Sequence, residues 1–295
     1  MWKDKICAIL LFGTIIESGD CLKYILLSVA AVAIVFGLSF LLTGLIRKKQ
    51  KKKLPIFARI LISVGIGMLI LCVVGFCYLN VHYTAQEEAL AVLSDPTGAT
   101  VTAIDGGYFI DGSGQDTALI FYPGAKVDSQ AYLPLMRQIA AGGVDCFLLT
   151  PPMRIAILDQ NAADKIIAKY DYNTVMVGGH SMGGMIAASY AAAHSDIVDG
   201  VVLLAAYPIK PLSEPVRLLS VYGTQDQVLS RDAYENAKQY FPSDAVETVI
   251  EGGNHAQFGN YGAQKGDGEA TISAGEQQSR TAYAVLRFAK TLSDR

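Results

Sequence analysis

The sequence predicts an α/β domain, a mostly parallel, doubly wound sheet with flanking helices, preceded by two transmembrane helices. Three observations carry this. Two long apolar runs near the N-terminus hold no charge. After about residue 100, short aliphatic runs alternate with helical stretches, the pattern of a parallel sheet with crossover helices. One of those strands, 174–177, runs straight into Gly-Gly-His-Ser-Met-Gly-Gly at 178–184, a serine on a sharp strand-to-helix turn.

The apolar runs come first in the chain. Residues 24–46 are 23 residues without a charge, and 60–79 are another 20. Each is long enough to cross a hydrocarbon core of about 30 Å as a helix. The spans are placed at about 24–46 and 56–79. Between them, 47–53 carries six positive charges in seven residues, which reads as a cytoplasmic loop under the positive-inside rule. The second span then leads outward. The chain is expected to be a multi-pass protein of the cell membrane, with everything after about Tyr83 outside the cytoplasm. Residues 1–83 form the anchor, 84–99 a helical linker and 100–295 the α/β domain. A further apolar stretch, 6–16, is too short to span. It lacks a following small-x-small cleavage site and reads as an interfacial helix.

Composition agrees with this division. The chain is 52% hydrophobic, with a mean hydropathy of +0.33, and the excess lies at the N-terminus. Residues 1–83 have net charge +7 and the remainder −10, which together give the chain's −3. An acidic domain argues against nucleic acid as a partner. The partners expected are the lipid bilayer and a small-molecule or lipid-like acyl substrate. Of the five cysteines, Cys7, Cys21, Cys72 and Cys77 lie in or beside the membrane region. Cys146 stands alone in an apolar run and reads as a buried small residue. No metal-ligand cluster, Walker motif or dinucleotide fingerprint is present, so no cofactor or metal is expected.

Along the domain, 101–104 and 108–110 make a hairpin around Asp105, Gly106 and Gly107. Residues 118–122 form a buried strand ended by Pro123 and Gly124, and 129–141 an amphipathic helix. Strand 146–150 stops at Pro151 and Pro152. Helix 162–169, strand 174–177 and helix 182–193 follow. Strands at 201–205 and 218–222, helix 230–240, strand 246–250 and helix 276–292 complete the order.

A serine hydroxyl needs a base beside it and an oxyanion site in front of it. There are four histidines. His82 ends the second span, His194 ends the helix after the elbow, and His180 adjoins the serine, so its side chain is expected to point elsewhere. His255 remains, just past the last strand, at the carboxyl edge where Ser181 also lies. Asp226, directly after strand 218–222, is placed to orient it, whereas Asp196 and Asp199 come too early. Ser181, Asp226 and His255 are therefore the candidate catalytic residues, in the chain order such sites follow. The oxyanion donors are expected to be the N–H of Met182 and one from the loop after 118–122, Ala125 in preference to Gly124 or Lys126.

On the elbow Gly179-x-Ser181-x-Gly183, Asp226 and His255, residues 100–293 resemble the α/β-hydrolase superfamily, near its compact, dienelactone-hydrolase-like branch. The resemblance implies the α/β-hydrolase fold, an eight-stranded sheet and a serine hydrolase. It departs where the oxyanion loop begins Tyr122-Pro123-Gly124 in place of the His-Gly of many lipases. It also departs from dienelactone hydrolases proper, whose nucleophile is cysteine. Only twelve residues separate Ala205 from Leu218, too few for a cap domain. Loop 252–275 has seven glycines and is expected to pack over the site, so that deleting 260–268 alters substrate preference more than stability. The activity expected is hydrolysis of a carboxylic ester or related acyl bond. Acyl transfer by the same residues, or a non-catalytic receptor or adaptor on this fold, are the alternatives.

Overall fold

Apolar runs without internal polar partners satisfy their backbone as helices. The computed structural model, which describes residues 21–50, 55–114 and 116–294, has them as α1 (Cys21–Gln50) and α2 (Ile56–Asn80). Pro55 precedes α2 in an extended conformation, with φ −61° and ψ 150°. The two helices pack side by side and share a hydrogen bond of 3.1 Å between the hydroxyls of Thr43 and Ser63. Two crossings were expected. Among the described residues, one helix is long and apolar enough to cross a membrane, over Ile56–Tyr78. Within α1, the described apolar stretch is Ala30–Leu45. The stretch 6–16 lies outside the described residues, as do 51–54 of the basic run.

The chain divides into two compact units, one ending at Val81 and the other running from His82. The segment expected as a linker thus lies with the second unit. It forms a short helix, α3 (Glu87–Ala91), and Tyr83 bridges to Val127 as a one-residue strand pair.

The second unit is built on eight strands: β1 (Thr100–Ile104), β2 (Gly107–Asp111), β3 (Thr117–Tyr122), β4 (Asp145–Leu149), β5 (Thr174–His180), β6 (Gly200–Leu204), β7 (Arg217–Gly223) and β8 (Val246–Ile250). They form one sheet in the order β1-β2-β4-β3-β5-β6-β7-β8. The pairings β1–β2 and β2–β4 are antiparallel; the rest are parallel. The hairpin expected around Asp105 is β1–β2, with Gly106 at φ 80° in its turn.

β3, β4, β5 and β6 are buried along their whole length, as strands covered on both faces must be. Side chains alternate between the two faces. Leu119, Phe121, Cys146 and Leu148 face one core with α4 (Leu133–Ala141); Ala118, Ile120, Tyr122 and Phe147 face the other with α5 (Ala163–Ile167) and α6 (Met182–Ala193). α7 (Arg231–Ala237) precedes β8, and α8 (Ala274–Ser293) closes the first core with Val285, Phe288 and Leu292. The helix expected over 129–141 begins as a tighter 3-10 turn, Ser129–Tyr132. Cys146 is fully buried and burial pushes its thiol well up, so it is a packing residue with an inert sulfur.

Candidate active site

β5 runs three residues further than its β-branched core suggests, to His180, and α6 starts at Met182. Ser181 is the hinge between them. Its backbone sits at φ 53° and ψ −124°, a region that costs a non-glycine residue about 1–3 kcal/mol. The flanking glycines exist for space. A Cβ on Gly183 would lie 2.2 Å from the Tyr122 carbonyl oxygen and 2.3 Å from that of Pro123. A Cβ on Gly179 would lie 2.4 Å from the Gly183 carbonyl carbon. α6 therefore begins against the exit of β3, bringing the Ser181 turn to the loop that follows β3.

That loop has three amides to offer, and two are committed. The Gly124 N–H donates to the Tyr132 hydroxyl at 3.1 Å, and the Lys126 N–H to the Arg154 carbonyl at 2.9 Å. Among the described residues the N–H groups of Ala125 and Met182 have no hydrogen-bond acceptor. Met182 also opens α6, where the helix dipole favours negative charge. Elimination within the loop thus leaves the amide of Ala125 as its free donor.

Asp226 lies in the turn after β7 and His255 in the turn after β8. Both side chains are buried, and His255 Nδ1 is 2.9 Å from Asp226 Oδ2. The other oxygen, Oδ1, accepts the N–H groups of Val228 and Leu229 at 2.9 and 2.8 Å. A carboxylate so committed can only accept, so Nδ1 of His255 donates. The neutral ring then carries its lone pair on Nε2, which has no hydrogen-bond partner among the described residues. Ser181 Oγ does not hydrogen-bond to it in this structure; contacts of this kind commonly tighten only with substrate bound.

The family profile described as "Alpha/beta hydrolase family" matches residues 118–279, more than half of the chain. The chain belongs to the alpha/beta hydrolase family. A comparison with curated protein sequences finds no match. Among solved structures, it is similar to a membrane phospholipase A described as a novel bacterial virulence factor, at 13% identity and a TM-score of 0.51 over 79% of this chain and 98% of that one. It is also similar to TT1662 from Thermus thermophilus (12%, TM-score 0.49, 66% and 98% covered) and to Est1E from Butyrivibrio proteoclasticus (15%, TM-score 0.46, 68% and 100% covered). At 13% identity the likeness to the phospholipase structure is one of fold alone.

Three side chains of this alpha/beta hydrolase enter the site without having been expected there. His180 was expected to point away. Its ring is fully buried instead, with its centroid 4.5 Å from that of His255. The cause is that β5 continues to residue 180, which turns its side chain towards the face occupied by Tyr132. Nδ1 lies 2.7 Å from the Tyr132 hydroxyl. The third is Asp267. Its oxygens accept the N–H of Ala256 at 2.8 Å, that of Gly268 at 2.8 Å, and those of His255 and Gln227 at 3.3 Å. One carboxylate so joins the histidine turn to the aspartate turn. No short-range motif marks Tyr132 or Asp267, because both act across long sequence separations. The other two histidines lie elsewhere: His82 is 3.4 Å from Asp128, and His194 stacks on Tyr190.

Loop 252–275 is pinned on its inner side. Phe258 and Tyr261 are buried, and the Tyr261 ring lies 6.4 Å from the rings of both His180 and Tyr132. Deleting 260–268 removes Tyr261 from the core and Asp267 from four amides. The deletion is therefore expected to lower stability as well as alter preference.

Burial, then the neighbouring His255, hold His180 well below the ordinary histidine range, against a smaller opposing effect of the His255 main chain. In the folded protein the ring stays neutral while an unfolded-chain histidine titrates near 6.5. Below that pH the unfolded state binds the extra proton, so stability falls as pH drops through 6.5 and is fully present above it. The slope approaches about 1.4 kcal/mol per pH unit. Urea unfolding between pH 7.5 and 5 should show about 2 kcal/mol more loss for the wild type than for His180→Asn. Equal slopes would rule this out.

Proposed function

We propose that this alpha/beta hydrolase is a membrane-tethered serine hydrolase, of the compact and cap-less kind, cleaving a carboxylic ester or related acyl bond. The observation that carries the reading is the buried Asp226–His255 hydrogen bond with an unpartnered Nε2, beside a serine held in a strained elbow. Ser181 Oγ attacks the acyl carbon while His255 Nε2 takes its proton. The oxyanion that forms accepts the N–H groups of Ala125 and Met182. Collapse expels the alcohol, which takes the proton back from His255 and leaves an acyl-serine. Water, deprotonated by the same nitrogen, releases the acid and restores Ser181. Asp226 holds the tautomer and stabilises the imidazolium that forms twice in the cycle.

Helix α2 supplies the tether, with the basic run at 47–53 on the cytoplasmic side and the hydrolase unit facing outward. Acyl transfer uses the same first half of the cycle with an alcohol replacing water. Product analysis with a soluble ester separates the two: free acid supports hydrolysis, a new ester supports transfer. Asp226→Asn should lower kcat by about 10³–10⁴-fold, because an amide facing Nδ1 no longer enforces the productive tautomer. Steady-state kinetics on an ester panel reads this out, and a loss below tenfold would remove Asp226 from the mechanism.

A further inference from the structure

Gly124, Tyr132 and His180 form a closed set on the buried side of the elbow. The Tyr132 hydroxyl oxygen accepts the Gly124 N–H at 3.1 Å and lies 2.7 Å from His180 Nδ1. A phenol has one proton. The Gly124 amide can only donate, so Nδ1 is the acceptor within reach that can satisfy the buried hydroxyl proton. His180 is then a neutral ring with its own proton on Nε2, an atom that has no hydrogen-bond partner among the described residues. Burial on all sides suits the neutral form. The fit at Gly124 is tight: a Cβ there would come within 2.9 Å of both His180 Nδ1 and the Tyr132 oxygen. The Tyr132 ring is fully buried, with Phe121 of β3 5.4 Å away between centroids.

The positions in sequence give this set its meaning. Gly124 immediately precedes Ala125, whose N–H is the free donor of the loop. His180 immediately precedes Ser181. A single hydroxyl therefore ties the residue before the oxyanion donor to the residue before the nucleophile. We propose that Tyr132 is a positioning residue whose hydroxyl holds the oxyanion loop in register with the elbow, so that the N–H groups of Ala125 and Met182 converge on one point. The inference rests on the serine-hydrolase reading above. It assigns Tyr132 a role in the transition state and none in substrate binding, because the oxyanion exists only after Ser181 has attacked.

Loss of an oxyanion donor lowers turnover by roughly 10²–10³-fold, and a displaced donor costs part of that. Tyr132→Phe keeps the ring and removes the hydroxyl. The experiment uses the full chain in detergent, with active sites titrated by a fluorophosphonate. For Tyr132→Phe, kcat per titrated site should fall roughly 10- to 100-fold with KM within about threefold. The inhibition constant of an alkyl boronic acid, which forms a tetrahedral adduct on the serine, should rise by about the same factor. Tyr234→Phe is the control. Tyr234 is equally buried, and its hydroxyl bonds Ser220 and Glu247 on the β7–β8 side of the sheet. It should leave kcat per site unchanged. If Tyr132→Phe does not fold, Gly124→Ala disturbs the same junction and should show the same kcat-specific loss. An unchanged kcat per site, or a loss confined to KM, overturns the proposal. Failure of the serine-hydrolase reading looks different, since the wild type would then take up no fluorophosphonate at all.

Discussion

Replacing Ser181 with alanine should lower ester turnover by at least about 10³-fold while leaving the fold and thermal midpoint intact. The size follows from the geometry. In the proposed cycle Oγ carries the acyl group, and Ser181 alone occupies the turn between β5 and α6. The residual rate is what two oriented amides and a histidine can do with water alone. Stability should hold or rise slightly. Ser181 makes no side-chain cap to α6, so alanine removes no cap, though it keeps the strained backbone. Steady-state kinetics and a melting curve on the same preparation check both halves. A variant retaining more than about a tenth of wild-type turnover would dismiss Ser181 as the nucleophile.

Gly183→Ala should be among the damaging single methyl additions in the hydrolase unit. Its Cβ would meet the backbone oxygens of Tyr122 and Pro123 at 2.2 and 2.3 Å. These are main-chain atoms at the end of a fully buried strand, so neither can swing aside as a side chain would. Either α6 withdraws or the β3 exit moves, and each displaces the Met182 and Ala125 amides relative to Ser181. Overpacking of this kind costs about 1–3 kcal/mol or more, roughly 2–12 °C in midpoint for a unit of this size. Activity should fall with it, at least tenfold at temperatures where the variant remains folded. A variant with unchanged midpoint and unchanged kcat would show that the elbow does not need the close approach described here. Gly184→Ala meets the Ala206 Cβ at 2.5 Å and the Gly179 carbonyl oxygen at 2.8 Å, neither of which can swing aside, and should be destabilising as well.

The sheet was legible because its strands are short, apolar and separated by turn residues. Val246–Ile250 and Met182–Ala193 fall where periodicity and punctuation place them. The ends of β5 and of the helix over 129–141 were less legible. β5 extends through Gly178 and Gly179, which no propensity scale favours in a strand, because pairing with β3 and β6 continues to Gly179 and His180. That extension decided the fate of His180: in a turn its side chain would be free to leave, but as the last residue of a central strand it is committed to a face. Asp226 and His255 could be named in advance because chain order and strand ends constrain them, and the structure brings them to 2.9 Å. Tyr132 and Asp267 could not. Their partners lie 8 and 48 residues away for Tyr132, and 11, 12 and 40 residues away for three of those of Asp267, and tyrosine or aspartate in a loop or first helical turn has many ordinary uses.

The membrane region was read on length and charge alone. Of its two runs, Ile56–Tyr78 retains the length and composition of a span. The hydrolase unit, in contrast, begins earlier than the run of strands suggests. The residues just after α2 are bonded into it: Tyr83 N–H donates to the Lys126 carbonyl and Gln86 N–H to that of Asn260. Backbone pairing of this kind leaves no mark on composition.

The most direct measurement of the central claim is covalent labelling with a fluorophosphonate, followed by intact-mass and peptide analysis of wild type, Ser181→Ala and His255→Ala. The account predicts one adduct per wild-type chain, mapped to Ser181, no adduct on Ser181→Ala, and labelling slowed by orders of magnitude on His255→Ala. An adduct formed equally on wild type and Ser181→Ala, or none on the folded wild type, would contradict it.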